Sequence, residues 1–186
     1  MTPFFCAMTI YLFHPATEAT EGYAVSTLPD TALLVGNKPF FIPDFAEHCM
    51  ARLCVALKIT RLGKSIDRRF AHRYYNQSEF TVAYHFTAQP LLDNLKAESA
   101  PWDLAIGFDS AVVLGTQPLT PLMTGTLESL LPTCDTLIEH ISSHFQLRQG
   151  DLLLIPHPEE VPSEVHIGDH LFYTHQGETL LSFNIK

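Results

Sequence analysis

Residues 49–64 read CMARLCVALKITRLGK. At period 2 the stretch puts Ala51, Leu53, Val55, Leu57 and Ile59 on one face and Met50, Arg52, Cys54, Ala56 and Lys58 on the other, as a strand with two distinct faces does. Arg52 then stands between a methionine and a thiol. An unpaired guanidinium buried on such a face is neither hydrated nor neutralised, so the remaining sequence has to supply a reason for the charge.

The chain has 186 residues, 46% of them hydrophobic, which is the length and content of one domain with a full core, residues 1–186. A formal net charge of −9 argues against a nucleic-acid partner, which needs a basic face, and against an anionic membrane surface. Lys58, Arg61, Lys64, Arg68, Arg69 and Arg73 do cluster, and a solvated strand end and helix explain them. Cysteines at 6, 49, 54 and 134 form no CxxC and no tight framework, so a reducing, cytoplasmic setting is expected. PFFCAMTIYLF, 3–13, is apolar but too short to span a bilayer, and it reads as a core strand.

Around strand 50–60 the pattern predicts several short elements. ALLVGNKPFFIP, 32–43, reads as a tight hairpin turning at Gly36 and Asn37. SIDRRFAHRYY, 65–75, reads as a short helix capped by Ser65, and PLLDNLKAE as one opened by Pro90. TCDTLIEHISSHF, 133–145, reads as a helix capped by Thr133 or Asp135, with His140 and His144 one turn apart beside its apolar face. EFTVAYHFTA, SAVVLG, GDLLLIP, HLFYT and TLLSFNI read as strands, the last two joined by a turn at HQGE. No regular βαβ crossover is visible, so a β-rich, mixed-sheet α+β domain is expected.

Six passages in order, PDTALLVGNKPFFIPDF, ITRLGKSIDRRFAHRYY, HFTAQPLLDNLK, PWDLAIGFDSAVVLG, LIEHISSHFQLRQGDLLL and VHIGDHLFYTHQGETLLSFNIK, resemble segments of the fumarylacetoacetate hydrolase family. That resemblance implies the family's mixed-sheet β-roll, its usual homodimer, and hydrolase, isomerase or decarboxylase chemistry on 2-oxo acids. It also implies a divalent cation, Mg²⁺ or Mn²⁺, held by three carboxylates, because hard cations take oxygen ligands. At the three carboxylate positions this chain has Arg52, Cys54 and His85.

The departures continue. Ile106 stands where the family has a lysine before Gly-Phe-Asp, and Gln89-Pro90 where it has Arg-Asp. Ile155 and His157 stand at the threonines of its substrate loop. Tyr11 and His14 of its water-activating motif remain, but Thr17 replaces the glutamate partner of His14 and Glu18 falls one residue late. A hairpin's worth of chain is missing near 116–122.

A positioned general base supplies roughly 10²–10⁴-fold, and a metal several kcal/mol of transition-state stabilisation, so losing both with the lysine predicts loss of the family reaction. The expectation is a degenerate member without the Mg²⁺ or Mn²⁺ site. In it Arg52, His85 and His157 line a pocket for a small carboxylate, and His14 is the residual catalytic position. A structural or regulatory partner role is a further reading. The alternative is an active enzyme with a rebuilt zinc site at Cys54 and His85, with His157 or His14 as third ligand.

Overall fold

The computed structural model describes residues 9–14, 24–119, 124–158, 160–175 and 177–186, with 77 and 124–129 described by backbone alone. The described residues form ten strands: β1 Ile10–His14, β2 Ala24–Leu28, β3 Leu33–Val35, β4 Cys49–Lys58, β5 Phe80–Ala88, β6 Val112–Leu114, β7 Leu152–Pro156, β8 Ser163–Val165, β9 His170–His175 and β10 Glu178–Asn184. Among the described residues three α-helices join them: α1 Gln89–Ala97, α2 Asp103–Ile106 and α3 Thr124–His144. The large sheet runs β2-β1-β7-β4-β5-β6-β3, with β8 also on β4, and β9 and β10 form a separate antiparallel pair. β1–β7 and β3–β6 are parallel and the other ladders antiparallel, so the sheet is mixed. The expected β-rich α+β roll is the observed fold.

β4 organises the molecule because both of its faces are buried, each in a different core. Ala51, Leu53, Val55 and Leu57 join the larger core, which includes Leu137, Ile138 and Ile141 of α3 and Leu181 and Phe183 of β10. Cys54 and Ala56 join the smaller core, with Leu92 of α1 and Ala105 and Ile106 of α2. Burying a Leu or Val contributes about 1.5–3 kcal/mol. A one-residue slip would drive Arg52 and Lys58 into the larger core, so this face fixes the register.

One edge of β4 is shared. β7 pairs with Cys54–Lys58 and β8 with Cys49–Ala51, and between them the chain leaves the sheet after the His157 N–H donates to the Leu53 carbonyl, 2.9 Å. Arg52 therefore lies at a fork, on the side of the smaller core.

Several local expectations change. The run after Gly36 does not fold back as a hairpin: β3 pairs with β6, and Phe40 bridges Ile185 instead. Pro39 and Pro43 remove two of the N–H groups a returning strand would need. Gly36 does take the positive φ expected, 84°. The 65–75 helix is a 3-10 turn over Arg68–Arg73 capped by Asp67, whose carboxylate accepts from the Arg69 N–H, while Ser65 takes φ 51° ahead of it. α3 begins nine residues before Thr133 and passes through Pro132, so neither Thr133 nor Asp135 is a cap. Pro132 supplies no N–H to the carbonyl four residues before it, and its own carbonyl accepts from the Thr136 hydroxyl at 2.8 Å. Thr17, Glu18, Cys6, Gln176 of the HQGE turn and the 120–123 part of the shortened segment lie outside the described residues. Among the described residues no helix is long and apolar enough to cross a membrane.

Candidate anion pocket

Strand alternation and the fork together open a cavity of about 240 Å³ on the smaller-core side of β4. Its sheet wall carries His14 at the end of β1, Met50 and Arg52 on β4, and His85 and Thr87 on β5. Its helical wall carries Gln89, Leu92 and Lys96 of α1, Trp102, and Ile106 of α2, and Pro156 and Pro162 flank the fork. The predicted residues His14, Arg52 and His85 are thus brought together by three different strands.

Arg52 and His85 are register partners across the β4–β5 ladder. His85 is 4% exposed, and its Nε2 lies 2.8 Å from the Ile106 carbonyl, which can only accept. The Nε2–H therefore donates, the ring is neutral, and Nδ1 carries the lone pair. Burial pushes the His85 pKa down to about 4, with His14 and Arg52 acting in the same direction against the Ile106 hydrogen bond. His14 is also lowered, first by burial and then by the charges of Arg52 and Lys96. Its Nε2 shares a 2.9 Å hydrogen bond with Ser26 Oγ, which β2 supplies from the adjoining antiparallel strand.

Trp102 joins the two walls. The His14 ring centroid lies 5.5 Å from it, and Lys96 Nζ sits 4.8 Å from its ring centroid. Lys96 and Leu92 are one helical turn apart, and Leu92 is anchored in the smaller core, so α1 delivers the ammonium to the cavity rim. Among the described residues Arg52 makes no ion pair and no Asp or Glu lines the cavity. Two permanent cations, two neutral imidazoles and apolar walls remain, an arrangement that attracts a small anion and gives a carboxylate a fixed fork to meet.

The other two predicted positions stand apart from the cavity. Cys54 lies one alternation beyond Arg52 but inside the smaller core, fully buried, and its thiol is pushed up to about 12 by that burial, with Arg52 lowering it only partly. Its Sγ–H points back to the Arg52 carbonyl at 3.8 Å. His157 follows the last residue of β7, and its ring lies 6.1 Å from Tyr173, which packs on the larger core; it is not among the lining residues. Lys96, Trp102 and Thr87 were missed in the sequence, which marked Gln89 only as a departure from the family pattern. The period-2 step from His85 to Thr87 and Gln89, and the i, i+4 step from Leu92 to Lys96, are the signals that carry them.

The donors can be tested against a metal. A hard divalent cation needs several oxygen ligands, and the lining offers a guanidinium in their place, so these residues do not fit Mg²⁺ or Mn²⁺. Among the described residues no three His, Cys, Asp or Glu side chains group to hold a metal ion.

No family model matches the chain. A mitochondrial oxaloacetate decarboxylase from Dictyostelium discoideum is 26% identical over 147 residues, covering 69% of this chain and 66% of that protein. A fumarylpyruvate hydrolase from Pseudomonas aeruginosa, solved in complex with Mn²⁺ and pyruvate, superposes with TM-score 0.81 at 17% identity, covering 97% of this chain and 90% of that one. The 2-hydroxyhepta-2,4-diene-1,7-dioate isomerase from Mycobacterium marinum superposes with TM-score 0.76 at 20% identity, covering 96% and 74%. The chain has the fold of the fumarylacetoacetate hydrolase family, and in sequence it is similar to the oxaloacetate decarboxylase over 147 residues.

Proposed function

We propose that this protein is a degenerate member of the family that binds a small carboxylate or 2-oxo acid without the family's metal-dependent hydrolase, isomerase or decarboxylase reaction. The observation that carries the reading is the charge of the cavity: Arg52 and Lys96 line it, and among the described residues no acid does. Arg52 meets a ligand carboxylate through two parallel N–H···O bonds, Lys96 adds an unspecific attraction at the rim, and Trp102, Leu92 and Ile106 exclude water around the ligand's carbon skeleton. The volume of about 240 Å³ suits a ligand of a few carbons. His14 and His85, both held neutral, are hydrogen-bond partners for an oxo or hydroxyl group rather than charges.

The alternative, an active enzyme with a rebuilt zinc site, rests on His14 and His85 sharing one cavity. Its third ligand is the difficulty, since the Cys54 thiol is held protonated in the core and His157 packs elsewhere. A reducing cytoplasm fits the three described cysteines, all of them free thiols. A homodimer and a structural or regulatory pairing rest on the family resemblance, and a single domain over 1–186 rests on length and composition as well.

The test combines two measurements on the purified protein. With Mn²⁺, Mg²⁺ or Zn²⁺ present, oxaloacetate and acylpyruvates are expected to be consumed no faster than in buffer, and metal analysis is expected to find no stoichiometric zinc. With a chelator present, pyruvate, oxalate or fumarate is expected to raise the melting temperature of the wild type and not of R52M. Metal-dependent turnover would overturn the loss of chemistry, and an equal shift in R52M would overturn the pocket.

A further inference from the structure

The β9–β10 hairpin carries a second ordered set of side chains, on the surface and apart from the cavity. Ser182 Oγ lies 3.0 Å from His170 Nε2, and His170 Nδ1 lies 2.8 Å from Asn184 Oδ1. Asn184 Oδ1 only accepts, so the imidazole proton sits on Nδ1 and Nε2 carries the lone pair. The Ser182 hydroxyl must then donate to Nε2. Nucleophile, base and orienter are in series, each with the direction that activates the next.

The hairpin register explains why the three meet. Asn184 opposes His170 and Ser182 opposes Phe172, while Leu171, Tyr173, Leu181 and Phe183 turn inward to the larger core. The outward face therefore holds His170, Asn184 and a half-buried Ser182 within reach of solvent. Two further groups sit beside the serine. Its backbone N–H donates to Asn37 Oδ1 at 3.4 Å, which holds that side chain beside the serine. Phe172, 57% exposed, stacks 6.0 Å from the His170 ring and offers an acyl chain an apolar surface.

We propose that Ser182 is a nucleophile activated by His170 and accepts acyl groups from activated carboxylic esters. Ser182 Oγ bonds to the ester carbonyl carbon as its proton passes to His170 Nε2. The bond from that carbon to the leaving oxygen breaks, and the proton departs with the alcohol. Water then adds to the acyl-serine by the same route, releasing the acid and restoring the hydroxyl. Asn184 is a positioning residue, holding the imidazole in the tautomer that accepts.

The test uses the full chain with 4-nitrophenyl acetate, following nitrophenol release and locating the acetyl group by peptide mass spectrometry. One acetyl group on Ser182 is expected, absent in S182A. H170Q, which keeps a hydrogen-bonding amide but no base, is expected to slow acetylation about a hundredfold or more. N184A is expected to slow it less, and N184D to restore it. Circular dichroism confirms that each variant is folded. Acetyl groups scattered over lysines at a rate unchanged in S182A, or a folded wild type that carries no acetyl on Ser182 and releases nitrophenol no faster than S182A, would overturn the proposal.

Discussion

Arg52 and His85 face each other across the β4–β5 ladder, the guanidinium without an ion-pair partner among the described residues and the imidazole held neutral by burial and a bond to the Ile106 carbonyl. The family resemblance puts carboxylates at both positions. Here a fixed positive charge faces a base that does not take a proton near neutrality, so the site's sign is reversed.

An unpaired charge at the edge of a core costs stability when nothing occupies the pocket. R52M, which keeps length and polarisable volume, is therefore expected to leave the melting temperature of the ligand-free protein unchanged or higher, by calorimetry. It is also expected to move the pKa values of His14 and His85 up, because both are lowered partly by Arg52. A large loss of stability in R52M would mean that the guanidinium has a structural partner.

His85 sets an acid limit. Unfolded, it titrates near the ordinary 6.5; folded, it is pushed down to about 4. Between those values the unfolded chain binds the extra proton, so stability is full above about pH 6.5 and falls as pH drops towards 4. At 1.36 kcal/mol for each unit, the loss is of the order of 3 kcal/mol. Urea unfolding across that range checks it, and an H85Q variant is expected to flatten this part of the profile.

Burial raises all three described thiols, Cys49 to about 11 and Cys54 and Cys134 to about 12. None is then a thiolate at pH 8, and none is a ready metal ligand or nucleophile. A C6S variant is expected to show no fast reaction with a disulfide reagent until denaturant is added. Rapid labelling of Cys54 in the folded protein would reopen the zinc reading.

Lys96 sits at the rim, over Trp102, and acts through charge more than geometry. K96M is expected to weaken carboxylate binding about three- to tenfold, less than R52M does. It is also expected to reduce the salt dependence of binding, measured by titration calorimetry at two ionic strengths. Equal losses in both variants would mean that the two cations grip the ligand as one unit.

The sequence carried the fold through β4, because strict alternation with both faces apolar leaves a central strand as the simplest reading. It also carried three of the cavity's polar residues, since the family resemblance marks Arg52, His85 and His14. It did not carry β8, three residues long, which exists only because β4 needs a partner beside Cys49–Ala51. Nor did it carry the exclusion of Cys54 and His157: a two-residue step along β4 moves from cavity to core, and His157 turns to the other face after Pro156. Those are matters of depth and of the fork, which alternation does not encode. The span of α3 was hidden by Pro132, a residue that ordinarily ends a helix.

The chain has a single tryptophan, and Trp102 touches both His14 and Lys96 in the cavity. Its fluorescence, titrated with pyruvate or oxalate in the presence of a chelator, reports whether the cavity binds a carboxylate without a metal. A saturable change that survives metal removal and is lost in R52M is expected. A change that appears only when Mn²⁺ or Mg²⁺ is added would contradict it.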